Sequence, residues 1–175
     1  MKDLISQTII SSESVTHRNV SAAWSAGVEY EVQWQAVPWL RFTANGSFQN
    51  SKDETYMATL DYIPDNMFSG QAVVLQKVSK FKIEGQVGLN YVGQRSYLDF
   101  SKSQLLFMPD LTIQLRPLVI PLAPYTTVDM SCKFFPDERF WIALMVQNVL
   151  DIRYQEAIGT LAPGRFATIK AGWDF

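Results

Sequence analysis

The sequence predicts an all-β fold: an antiparallel transmembrane β-barrel of about eight meandering strands. Three observations predict it. Apolar residues recur with a period of two over long stretches, the connections between those stretches alternate short and long, and aromatic rings gather at both ends of them. A period of two sends successive side chains to opposite faces, so each stretch carries one greasy face and one polar face.

The elements follow in chain order. Lys2 to Ser11 reads as a first strand. In the second, Val28, Tyr30, Val32 and Trp34 alternate with Glu29, Glu31, Gln33 and Gln35. In the third, Leu40, Phe42, Ala44 and Phe48 alternate with Arg41, Thr43, Asn45 and Gln49. Asn45-Gly46 is a hairpin signal by itself. Cutting there would leave arms of about five residues, whereas a bilayer demands strands of about 9 to 11. Gly46 is therefore read as a lipid-facing glycine inside one strand, and the Asn45-Gly46-Ser47 sequon as a chance match. Asn66 to Lys77 alternates weakly, with Phe68, Ala72 and Val74 opposite Ser69 and Gln71. From Phe81 the odd positions Phe81, Ile83, Val87, Leu89 and Tyr91 oppose Lys82, Glu84, Gln86 and Asn90. Tyr125 to Phe134 sets Val128, Met130, Cys132 and Phe134 against Asp129, Ser131 and Lys133. Trp141 to Leu150 is apolar on nearly both faces. Ala167, Ile169, Ala171, Trp173 and Phe175 close the chain against Thr168, Lys170, Gly172 and Asp174.

The connections carry a separate signal. They are short at 36–39, 77–80 and 135–139, and long at 12–21, 50–65, 94–124 and 151–164. A membrane barrel sorts its connections in this way, with short periplasmic turns and long outer loops. Both chain ends are then expected on the periplasmic side. Trp34, Trp39, Phe81, Phe134, Phe140, Trp173 and Phe175 lie near the short turns, and Phe48, Tyr91, Tyr125 and Tyr154 near the long loops. That is the pattern of two aromatic girdles at the headgroup levels. A soluble eight-stranded barrel such as a lipocalin has no reason to sort its connections by rim.

Composition excludes other classes. A net charge of -2 gives no basic patch to release counterions from a phosphate backbone, so no nucleic-acid partner is expected. With 13% aromatic residues the chain is not disordered. Cys132 and His17 each occur once, which removes disulfides, multi-cysteine zinc sites and two-histidine metal sites. No stretch approaches the roughly 20 apolar residues of a spanning helix, and the first residues do not read as a signal peptide. His17 is placed in a polar loop, 14–19, with no Gly-x-Ser-x-Gly elbow to serve. Asp53, Glu54, Asp61 and Asp65 fit no EF-hand spacing and read as a solvated acidic loop. No catalytic residue, metal site or cofactor is expected, and the chain is not read as an enzyme.

Several segments together resemble a family. Val146-Gln147-Asn148-Val149-Leu150-Asp151-Ile152-Arg153-Tyr154, then Ala162-Pro163-Gly164-Arg165-Phe166 and a terminal aromatic, resemble the end of a TonB-dependent outer-membrane receptor. Gly27-Val28-Glu29-Tyr30-Glu31, Ile63-Pro64-Asp65-Asn66 and Ala123-Pro124-Tyr125-Thr126-Thr127-Val128-Asp129 resemble further family segments, in the family's order. The resemblance implies that residues 1–175 form one segment, the C-terminal part of a 22-stranded barrel, without the N-terminal plug and TonB-contacting box. It implies an outer-membrane location in a Gram-negative bacterium. It also implies a role in uptake of a bulky nutrient such as a siderophore, haem, cobalamin or a glycan. Its partners are then outer-membrane lipid, the plug and remaining strands, TonB through the N-terminal part, and the barrel-assembly machinery, which reads Trp173 and Phe175. The alternative is a stand-alone eight-stranded barrel with a structural or adhesive role, whose interior side chains alone would fill. Glu29, Glu31, Glu84, Asp129 and Asp174 would then face Arg41, Lys82, Lys133 and Lys170 in a closed interior, where burying them stabilises only with good geometry.

The loop 94–124 contains a second β pattern. Leu105, Leu106, Phe107 and Met108, then Pro109-Asp110, then Leu111, Ile113 and Leu115 read as a hairpin standing above the membrane. Candidate outer ligand contacts are Tyr97, Phe107 and Arg116 on this loop, and Arg153, Tyr154 and Arg165 around the final long loop.

Overall fold

The computed structural model describes residues 4–11, 14–20, 22–107, 111 and 113–173. Every regular element among them is a strand: β1 (Leu4–Ser11), β2 (Ser14–Val20), β3 (Ala23–Val37), β4 (Leu40–Asp53), β5 (Asn66–Val78), β6 (Phe81–Val92), β7 (Arg95–Phe107), β8 (Ile113–Leu122), β9 (Tyr125–Phe135), β10 (Phe140–Gln147), β11 (Gln155–Ala157), β12 (Thr160–Leu161) and β13 (Phe166–Trp173). Seven of them form one antiparallel sheet in the order β13-β10-β9-β6-β5-β4-β3. The remaining six form three separate hairpins, β1-β2, β7-β8 and β11-β12.

The register turns the period-two pattern into two continuous surfaces. Trp34, Phe42, Ala72, Val87, Met130, Val146 and Ala167 pair in one row across all seven sheet strands. Three positions along, Glu31, Asn45, Ser69, Asn90 and Thr127 form a polar row on the other face. A slip of a single residue in any pair would mix the two faces, so the pairing is strongly specified. Gly46 lies mid-strand in β4 opposite Tyr30, as expected, and no hairpin forms there.

The apolar surface is uncovered. Val28 is 67% exposed, Trp34 61% and Ile169 75%. The buried apolar cluster consists of Ala23 and Leu60 with Ile63 against it, at the long-loop rim rather than between layers. Apolar faces of this extent are foreign to soluble monomers, whose exposed patches rarely exceed a few hundred Å². Oily side chains do not converge on a dry centre, so the lipocalin-like reading fails.

Aromatic pairs mark the short-turn rim. Trp34 stacks on Phe42 with ring centroids 5.5 Å apart, Phe81 meets Phe134 at 5.6 Å and Phe140 meets Trp173 at 5.7 Å. Gly172 serves the last strand pair on the other face. It pairs with Trp141, and a Cβ there would stand 2.5 Å from the indole ring. The ring lies over the strand where only glycine leaves room.

Four expectations are corrected. The expected first strand exists as β1 from Leu4, but among the described residues it pairs only with β2, which runs toward β3. Alternation in a short segment is the same for a spanning strand and an outer hairpin, so period could not separate them. β3 begins where Ala23 pairs with Asp53 at the long-loop rim, and β13 ends beside Phe140 at the short-turn rim. The described residues therefore enter the sheet at one rim and leave it at the other, not both at the periplasmic one. His17 lies in β2 rather than a loop. Tyr125 belongs to the polar side of β9 with Thr127 and Asp129, and Tyr154 stacks on it, so neither joins the outer girdle. Phe175, Asp174, Met108, Pro109 and Asp110 lie outside the described residues.

Candidate functional site

The long connections converge on one rim of the sheet. Residues 54–65, which read as a solvated acidic loop, instead pack on the base of β7. Tyr62 N–H donates to the Ser96 carbonyl at 2.8 Å, Leu98 N–H donates to Asp61 Oδ1 at 2.9 Å, and the Thr59 and Ser96 hydroxyls share a hydrogen bond. Tyr62 stacks on Tyr97 at 5.6 Å, and Tyr56 meets Phe100 edge-on at 5.1 Å. Asp53 is fully buried, its Oδ1 accepting the Thr55 and Tyr56 amides at 2.8 and 3.4 Å. An acid with its oxygens turned to backbone donors shapes a turn, not a cation site. Among the described residues no group of acidic, histidine or cysteine side chains could hold a metal.

The final long loop is built by its own motif. Asn148 adopts φ 49° and Asp151 φ 55°, the left-handed region that Asn and Asp tolerate best among residues with a Cβ. Asn148 is buried. Its Nδ2 donates to the Ile152 carbonyl at 2.9 Å and the Pro163 carbonyl at 3.4 Å, its Oδ1 accepts the Ile152 amide at 3.0 Å, and its own amide donates to Asp129 Oδ1 at 2.8 Å. Asp151 Oδ1 accepts the Arg165 amide at 2.8 Å, and a Cβ on Gly164 would lie 2.6 Å from that oxygen. The Asn-x-x-Asp and Pro-Gly-Arg segments thus clasp each other. This is also why β10 stops at Gln147 instead of running to Leu150: Asn148 turns the chain.

A polar chain runs sideways from the clasp. Asn90 Nδ2 donates to Asp129 Oδ2 at 3.1 Å, and Ser69 Oγ donates to Asn90 Oδ1 at 2.8 Å. Above it stands a stack of three side chains. The Arg95 guanidinium lies 5.2 Å from the Tyr125 ring centroid, and Tyr125 lies 3.9 Å from Tyr154. Arg95 is 6% exposed, and its two terminal nitrogens donate to the carbonyls of Glu156 and Gln155 at 3.1 and 2.9 Å. One cation ties β7 to the β11-β12 hairpin. Beneath lies a cavity of about 780 Å³ whose walls include Asn90, Tyr125, Asp129, Asn148, Tyr154 and Glu156. Burial, then the neighbouring Glu156 carboxylate, raises the Tyr154 hydroxyl above its usual range. Burial pushes Tyr97 up to about 12. Both hydroxyls stay protonated donors at neutral pH.

The sequence candidates scatter over this mouth. Tyr97 is 3% exposed and packs inward. Phe107 is 78% exposed at the far end of β7, and Arg116, on β8 opposite Gln104, is also exposed. Arg153 and Arg165 are exposed on the final loop. Of these six only Tyr154 lines the cavity. Trp173 packs on Phe140 at the opposite rim. Arg95, Asp129 and Asn148 were missed as site residues, although the Val-x-Asn segment was the signal for Asn148.

Comparison with protein families matches residues 1–149 to the β-barrel of the TonB-dependent receptor-like family. Solved structures agree in fold. The ferric enterobactin receptor of Pseudomonas aeruginosa, as a variant, superimposes with a TM-score of 0.69 at 14% identity, over 99% of this chain and 27% of that one. The P. aeruginosa receptor bound to a heterologous ferric pyoverdine gives 0.66 at 16% identity, over 99% and 23%. The ferric yersiniabactin uptake receptor of Yersinia pestis gives 0.62 at 20% identity, over 87% and 24%. The chain spans about a quarter of the length of these receptors. Comparison with curated sequences finds no match.

Proposed function

The chain belongs to the TonB-dependent receptor-like β-barrel family of the Gram-negative outer membrane, and from that premise we propose that it is the wall and outer mouth of a receptor importing a bulky nutrient, a ferric siderophore foremost. The family is one of transport receptors, not of enzymes. The observation that carries the proposal is the seven-strand sheet with one uncovered apolar face and one polar face, which ends in two strands, β3 and β13, with no further partner among the described residues. Hydrocarbon tolerates no open sheet edge, because each unsatisfied backbone group there costs several kcal/mol. Both edges need further strands, which favours a section of a large wall over a small closed barrel. The polar face then lines the lumen against a plug domain, with TonB reached through that plug, and the long loops form the ligand mouth.

Siderophore uptake is the narrower part of the proposal, motivated by the names of the structural neighbours and by the polar, aromatic cavity under Arg95. The test is growth of the source bacterium on ferric siderophores as sole iron source, with the gene intact, deleted, or intact in a strain lacking TonB. Loss of growth on at least one siderophore in both altered strains is expected. Unimpaired growth on every ferric siderophore offered would reject iron uptake.

A further inference from the structure

The polar face carries its charge in two zones. Toward the short turns stand Arg41 on β4, Lys77 on β5, Lys82 on β6, Lys133 on β9 and Lys170 on β13; among the described residues of these strands Glu84 is the carboxylate in that zone, paired in register with Lys133. Toward the long loops the same face carries Glu29, Glu31 and Asp129. Among the described residues none of the five cations forms an ion pair. Two are held instead by aromatic rings. Lys82 Nζ lies 4.5 Å over Phe135, and Lys133 Nζ lies 4.7 Å over Phe135 and 4.1 Å over Trp141. The rings fix where these charges stand without neutralising them.

We infer that this basic collar seats a carboxylate-rich protein segment inside the barrel at its short-turn end. The inference rests on the reading of the polar face as the lumen wall. A neutral occupant would strip water from the cations and return nothing, and desolvating an unpaired charge is costly. A small anion would reach two or three of them. The collar crosses the strands from β4 to β13, which at a strand spacing of about 4.8 Å is about 24 Å. That span matches an extended acidic chain or protein face rather than a single small ion.

The experiment uses the whole chain folded in detergent micelles, with folding checked by circular dichroism, and fluorescence anisotropy of a labelled ten-residue polyglutamate peptide. Binding is expected at low salt and should weaken as salt shortens the Debye length. Lys82→Gln, Lys133→Gln and Lys170→Gln combined should weaken it about tenfold. Glu84→Gln should tighten it about twofold, and Glu29→Gln with Glu31→Gln should leave it unchanged. Peptide binding indifferent to the triple substitution would overturn the inference. So would displacement of the peptide by inorganic phosphate beyond that by chloride at equal ionic strength, which would assign the collar to small anions. Should the triple variant not fold, Glu84→Gln decides alone, and unchanged or weaker binding defeats the inference. A folded, detergent-bound chain that ignores the peptide removes only the collar's assignment. A chain that binds no detergent and stays in the aqueous phase removes the wall reading and the collar with it.

Discussion

Asn148 concentrates the chemistry of the mouth in one side chain. It fills all of its amide's roles at once and occupies a backbone region that costs alanine roughly 1 kcal/mol more. Asn148→Ala also leaves the Ile152 amide and carbonyl without their partner, at about 1 kcal/mol for each lost bond. The expected loss is about 2 to 4 kcal/mol, read as a lower midpoint of guanidinium unfolding in lipid vesicles. Asp99 offers a pH test on β7. The Ser101 hydroxyl is the largest cause holding its carboxyl below the usual 3.8, with the Ser101 amide and Lys102 adding to it against the opposing effect of burial. Because the folded value is the lower one, the stabilisation is present above pH 3.8 and disappears as pH falls through the folded value. Hydrogen-exchange protection in the β7-β8 hairpin, taken relative to the intrinsic rate at each pH, should therefore fall on acidification below pH 3.8, and Asp99→Asn should remove that dependence. Arg95 illustrates what residue-level reading misses. Its partners are main-chain oxygens 60 and 61 positions away, and nothing local to Arg95 announces them.

At the level of strands, the two faces make opposite demands on the same substitution. Val87, in the middle of β6, is 43% exposed on the apolar surface, and its neighbour Gln86 points to the other side. Val87→Arg should cost about 2 to 4 kcal/mol near the bilayer midplane, whereas Gln86→Arg should cost little. Reversible unfolding in vesicles separates the two, and equal costs would contradict the facing of β6. Strand identity was legible because facing needs only a local period. β3, β4, β5, β6, β9 and β13 carry the expected faces, and Gly46 stays inside β4 despite its turn-like neighbour. The β7-β8 hairpin was expected from Leu105 onward, yet it starts at Arg95. Its lower half, Arg95 to Asp99, is buried under residues 54–65, and that cover removes the polar alternation by which a hairpin is recognised.

For the whole molecule, the open sheet sets the expectation. Two bare edges invite pairing with another chain when the rest of a wall is not present. Sedimentation of the refolded chain in detergent should show self-associated species, and a strictly monomeric, heat-modifiable band would point to closure on itself. Topology of this kind was legible only through the family resemblance, since alternation reports the facing of a strand but not how many neighbours complete the circle. The grip of Arg95 on the oxygens of Gln155 and Glu156 has a corollary for how such a mouth diversifies. An anchor that reads only the peptide skeleton is blind to side-chain identity, so the tip it fastens can trade residues while its moorings persist.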